Sequence, residues 1–131
     1  MERIFFRVRE VAEQFGLEDS SILRWIYRGK LPALKVGRAW RIPRAALVPD
    51  GRESAPAGDV LDLVAVDLAK VIPEQVYIPA RVVKSVLRCT TDELEALSLP
   101  HLRIGSRLHV RRTDVLEWVI QQIKECVHEP R

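Results

Sequence analysis

The sequence predicts a mainly helical α+β fold made of two tandem copies of one small unit, joined by a linker and closed by a C-terminal helix. Two observations carry this. The stretch Lys30–Pro43, KLPALKVGRAWRIP, has a near-copy at Leu99–Arg111, LPHLRIGSRLHVR. In each copy a Leu-Pro pair opens a short alternating run, a glycine sits at the centre (Gly37, Gly105), and a second alternating run rich in Arg follows. Two short strands joined at a tight glycine turn is the reading this pattern supports. The likeness also continues upstream, where Arg9–Phe15 aligns without a gap on Ala80–Val86. Leu23 then falls opposite Leu94 and Ile26 opposite Leu97, while Arg28-Gly29-Lys30 has no counterpart. Each unit is about 40–45 residues, and two copies are too few for a solenoid.

The elements follow in order. Val8–Phe15 predicts a short helix with Val11, Ala12 and Phe15 on one face, ended by Gly16. Asp19 or Ser20 is expected to cap a second helix whose Ile22, Trp25 and Ile26 point inward. Gly29 stops it, and Leu31-Pro32 leads into the first hairpin. Two short helices around a glycine turn make a helix-turn-helix, and the hairpin adds a β-wing. Residues 1–49 form the first domain in this reading, and 50–59 a linker within the Pro-, Gly- and Ser-rich stretch VPDGRESAPAGD. Residues 60–131 form the second domain with its flanking helices. Val60–Ile72 has apolar residues at helical spacing and is expected to pack on the second unit. Thr113–Val127 predicts a longer helix capped by Thr113, with an apolar stripe through Val115, Val119, Ile123 and Val127.

Composition excludes several classes. Of the residues, 47% are hydrophobic and 30% charged, which is ordinary for a folded globular chain. No run approaches the roughly 18 apolar residues of a membrane span, and the start lacks a secretory signal, so a cytoplasmic location is expected. Cys89 and Cys126 have no CxxC spacing, and His101, His109 and His128 are scattered, so neither a disulfide framework, a metal site nor a cofactor is expected. No phosphate-binding loop, nucleophile elbow or HExxH is present, and the chain is not expected to be an enzyme.

Charge distribution is more informative than the net +3. Residues 1–50 carry net +4, 51–75 net −3 and 76–131 net +2. Between Ser20 and Pro49 there are seven basic residues and no acid. Such a stretch attracts phosphates, and phosphate contacts supply most non-specific DNA affinity. The outward face of the second helix carries Ser20, Leu23, Arg24, Tyr27 and Arg28, with Ser21 beside them. Arg pairs bidentately with guanine, Ser contacts either kind of base edge, and the Tyr27 phenol reaches phosphate. Lys30, Lys35, Arg38, Arg41 and Arg44 complete the expected DNA-binding set.

Over Phe6–Leu47 the chain resembles the excisionase-type branch of the MerR-like winged helix-turn-helix family. The residues that carry this are Val8-Arg9-Glu10-Val11-Ala12, the helix Ser20–Arg28, Gly29-Lys30-Leu31-Pro32, and Val36-Gly37-Arg38-Ala39-Trp40-Arg41-Ile42-Pro43. The resemblance implies a second helix in the major groove and a wing on the flanking backbone or minor groove. It also implies that Trp25 and Trp40 are core and wing-base residues. Members include excisionases, small transcription regulators and phage terminase small subunits.

The second unit departs from the first in its second helix, which reads Thr91-Asp92-Glu93-Leu94-Glu95-Ala96-Leu97. Three carboxylates oppose the phosphate field, although an acidic start also suits a helix dipole. Groove reading there is expected to be weak, with Arg103, Arg107, His109 and Arg111 of its wing, beside His101 and Arg112, left as secondary DNA contacts. The expected function is sequence-specific binding of double-stranded DNA, as a transcription regulator or recombination directionality factor. The alternatives are a packaging or replication accessory protein such as a terminase small subunit, and an adaptor recruiting a protein partner through the second unit. The apolar stripe of the last helix is expected either to form a homodimer or to fold back on the second unit.

Overall fold

A computed structural model describes residues 3–47, 57–97 and 99–128. The chain runs β1 (Phe5–Phe6), α1 (Val8–Phe15), α2 (Asp19–Tyr27), β2 (Leu34–Val36), β3 (Ala39–Pro43) and a 3₁₀ turn at Arg44–Ala46. It continues through α3 (Ala57–Val71), β4 (Tyr77–Pro79), α4 (Ala80–Leu87), α5 (Thr91–Ala96), β5 (His101–Ile104), β6 (Arg107–Arg111) and α6 (Arg112–His128). The order strand, helix, helix, strand, strand therefore occurs twice. Each time the third strand is central, in sheets ordered β1-β3-β2 and β4-β6-β5 with antiparallel neighbours.

Sheet register and helix caps fix how the two halves correspond. Phe6 pairs with Ile42 as Ile78 pairs with Val110, and α1 and α4 end at left-handed residues, Gly16 (φ 65°) and Arg88 (φ 57°). Those two caps lie 72 positions apart, as do the buried Ile22 and Leu94, whereas the turn glycines Gly37 and Gly105 lie 68 apart. The gapless pairing of Arg9 with Ala80 is therefore one residue out of step, and Arg9 corresponds to Arg81. The second half is shorter by four residues, about one helical turn. That turn is lost from α5, which has six residues where α2 has nine.

Local chemistry explains the helix ends. Gly16 takes the left-handed conformation and its N–H bonds back to the carbonyls of Ala12 and Glu13. The N-cap of α2 is Glu18, without a side-chain cap, so neither Asp19 nor Ser20 fills that role. At α5, Thr90 Oγ1 accepts from the Glu93 N–H at 3.1 Å, while Glu93 Oε1 accepts from the Thr90 N–H at 2.9 Å. This reciprocal capping box gives one of the three acids a structural role at the helix start.

The halves share one core. Its buried members come from both sheets and from Val60, Val64, Leu68 and Ile72 of α3. Helix α3 packs on α6 and on the 3₁₀ turn of the first half, and α6 packs on β2 as well as on β6. So α3 does not serve the second half alone. Of the expected linker, residues 57–59 already belong to α3, and the remainder lies outside the described residues. The stripe of α6 expected to pair chains is taken up inside the chain: Val115, Val119 and Ile123 are each fully buried. These three positions of the stripe are therefore covered within the chain, and the Val127 side chain lies outside the described residues.

Candidate nucleic-acid interface

Helix α2 turns Ile22 and Ile26 into the core, which sends Ser20, Arg24, Tyr27 and Arg28 to the surface. Ser21 and Leu23 are half-buried at the edge of this face, and Lys30 is exposed just beyond it. Tyr27 is anchored by an edge-on contact with Trp40 of β3 (ring centroids 6.1 Å apart, planes at 85°). Lys35 Nζ lies 5.6 Å from the centroid of the same indole. A lysine over an aromatic face gains a cation–π attraction and stays exposed, so α2 and the first hairpin share one basic, aromatic surface. Arg38 is exposed at the turn of that hairpin.

Arg41 and Arg44, expected to contact phosphate, are committed inside the molecule. Arg41 is only 5% exposed. Its Nε donates to the Leu87 carbonyl at 3.0 Å, its Nη1 to the Trp40 carbonyl at 3.1 Å, and its Nη2 to the Arg88 carbonyl. The guanidinium thus closes the C-terminal end of α4, where carbonyls lack helical partners. Burial, and then the charges of Arg7 and Arg88, pull its pKa below the usual value. Arg44 is held by both oxygens of Asp67 on α3, at 3.0 and 2.7 Å. Arg88 returns the first of these connections: its Nη1 donates to Glu10 and to the Phe5 carbonyl. Burial alone would raise the Glu10 pKa, but hydrogen bonds from Arg88 and the Arg7 N–H, with the charges of Arg88 and Arg3, hold it below the usual carboxylate value.

The two hairpins consequently do different things. The first is docked: Leu34, Val36 and Ile42 are buried, and a Cβ placed on Gly37 would stand 2.8 Å from Glu93 Oε2. The second projects, and every residue of β5 is exposed, including Leu102 at 39% and Ile104 at 47%. Arg103 and Arg107 are exposed on it, His109 is half-buried, and Arg111 is exposed but paired with Asp114 at 3.2 Å. Arg103 lies 3.5 Å from Glu95, a solvent-screened pair of small weight.

Sequence reasoning passed over four cations that the fold assembles, Arg88 among them. Arg7, Arg81 and Lys84 stand beside Arg41 and Arg88 in one open cleft between the halves. Arg81 and Lys84 are three apart and share a helix face, but the acids of α5 immediately downstream masked that signal. Among the described residues no group of three or more His, Cys, Asp or Glu gathers as metal ligands would, and no helix is long and apolar enough to cross a membrane.

A family model described as a helix-turn-helix domain matches residues 5–48, the span from β1 through the 3₁₀ turn. Neither the curated proteins nor the solved structures contain a match to this chain. The chain is thus mixed and mainly helical, and its N-terminal third matches a helix-turn-helix domain.

Proposed function

We propose that this protein binds double-stranded DNA sequence-specifically, with α2 in the major groove, and acts as a transcription regulator or a recombination directionality factor. The observation that carries the reading is the exposed face of α2, where Ser20, Arg24, Tyr27 and Arg28 stand together in the matched helix-turn-helix segment. Arg24 reads a base edge, and Arg28, Lys30, Lys35 and Arg38 contact flanking phosphates. In this reading both halves are winged helix-turn-helix units of the MerR-like, excisionase type, the second of them degenerate, and no residue has a catalytic role. The exposed Leu102 and Ile104 of β5 favour a second reading, in which the projecting hairpin also engages a protein partner, as an adaptor or a packaging accessory protein would.

The test uses the full chain, since α6 and α3 complete the core of the first half. Selection from a random duplex library, followed by gel shifts at fixed salt, should return an enriched site. Arg24→Ala should relax the preference at one base position by about 1–3 kcal/mol. Arg38→Ala should weaken specific and non-specific duplexes alike. Failure to enrich any sequence would remove the reading.

A further inference from the structure

Helix α4 carries a basic track bordered by α5. On its outer face Arg81 is exposed, and Lys84, half-buried, donates to Thr91 Oγ1 at 2.8 Å. On one side these two line the cleft that reaches Arg7 at the start of α1, with Arg41 and Arg88 beside it. On the other side they line a second depression that continues over Pro79 to Arg103 and Arg107 of the projecting hairpin. Arg81 and Lys84 belong to both, so the two depressions adjoin along this face of α4, between the junction of the halves and the second hairpin.

The acids along this path are already engaged. Glu93 closes the capping box of α5, Glu95 faces Arg103, and Glu10 is tied to Arg88 and Arg3. Five cations line the junction cleft; with Arg88 tied to Glu10 and Arg41 buried on carbonyls, Arg7, Arg81 and Lys84 remain to face a partner beside Glu93, an excess that favours a polyanion over a neutral or cationic partner. Helix α5 itself, with six residues, is about 9 Å long and offers little to lay along a groove.

We propose that this track seats successive phosphates of a DNA strand, so that the second half grips the backbone through α4 and its hairpin while α2 of the first half reads the bases. The footprint then extends past the site that α2 covers, and the acidic α5 becomes a spacer under the track rather than a failed reading helix. The proposal rests on the DNA-binding reading above.

The experiment is the salt dependence of duplex binding by the full chain carrying Arg7→Gln and Arg81→Gln, with Arg107→Gln made separately for the far end. Both residues of the double variant are exposed, so its thermal midpoint should match the wild type. Each phosphate contact contributes about 0.9 to the slope of log affinity against log salt. The double variant should therefore lose about 1.8 from the slope and Arg107→Gln about 0.9, with the ratio of specific to non-specific affinity unchanged. Wild-type binding together with an unchanged slope in the double variant overturns the track and leaves DNA recognition by α2 standing. A wild-type chain that binds no duplex removes both.

Discussion

Replacing Arg41 by Met tests whether the buried guanidinium is a bolt between the halves rather than a DNA contact. Methionine keeps an unbranched stem of similar reach but donates nothing. The Leu87 and Arg88 carbonyls then lose their donor at the C-terminal end of α4, the first in a buried bond and the second in a part-buried one. Each buried carbonyl left unsatisfied costs about 1–3 kcal/mol. Two terms oppose this loss. The variant no longer buries a charge, and it no longer holds that charge against Arg7 and Arg88. The balance is a loss of about 2–4 kcal/mol, within the range for breaking a buried polar connection. Urea unfolding of the full chain measures it, and a single transition with a lowered midpoint and an unchanged slope is expected. Arg38→Met, exposed at the hairpin turn, should remain within about 0.5 kcal/mol of wild type. A loss below about 1 kcal/mol for Arg41→Met would refute the bolt and return Arg41 to the list of candidate phosphate contacts.

Gly37→Ala and Gly105→Ala both force a left-handed residue at φ near +65°, costing about 1–2 kcal/mol each. Only at Gly37 must a neighbouring group, the Glu93 carboxylate, also shift, so any further loss in thermal melts should fall there. Ile123→Ala should cost about 2–5 kcal/mol in denaturant unfolding and leave sedimentation unchanged, because that side chain lies in the chain's own core. Glu10 is held below the usual carboxylate pKa, so its contribution is present above that value and is lost as pH falls below 4.5. Glu10→Gln should therefore flatten the acid limb of a midpoint-against-pH curve. Burial pushes the Cys89 thiol up to about 11, so at pH 8 in a Cys126→Ser background it should react with a thiol reagent about a hundredfold more slowly than an ordinary cysteine.

What the sequence disclosed was local. The helix Val8–Phe15 could be read to the residue because a 3.6-residue pattern ends at a glycine that can turn left-handed. Both hairpins were legible because alternation flanks a glycine at each turn. The one-residue slip between the copies was not visible, because the residue matching Gly16 is Arg88. An arginine adopts that conformation here while bonded to Glu10 and Phe5, partners 78 and 83 positions away in sequence. For the same reason Arg41 and Arg44 looked like their neighbours Lys35 and Arg38. Their partners, Leu87, Arg88 and Asp67, lie 23 to 47 positions away, and nothing in a basic run says which members will find carbonyls. The stripe on α6 was correctly apolar, but the pattern does not say whether its complement is a second chain or the first half of the same one.

The two hairpins share a strand order but differ in what covers them. Both have the same strand order and a left-handed glycine at the turn. In the first hairpin, alternation put Leu34 and Val36 on one face of β2, and that face became buried once α6 lay against it. In the second, Leu102 and Ile104 occupy the matching positions and meet no equivalent helix, so they stay exposed beside Arg103 and Arg107. The difference arises because the chain continues from β6 straight into α6, which packs on β2 of the first half while in its own sheet it lies against β6. Docking one hairpin costs the first half a free wing but fixes the second half relative to α2 through Arg41, Arg88 and Arg44. In the proposed reading, α2 reads bases and the projecting hairpin holds phosphates; on one shared core the two cannot reorient independently, so their separation is set by packing. Inserting one base pair between those two regions of an enriched site should therefore weaken binding more than substituting a base that neither region touches.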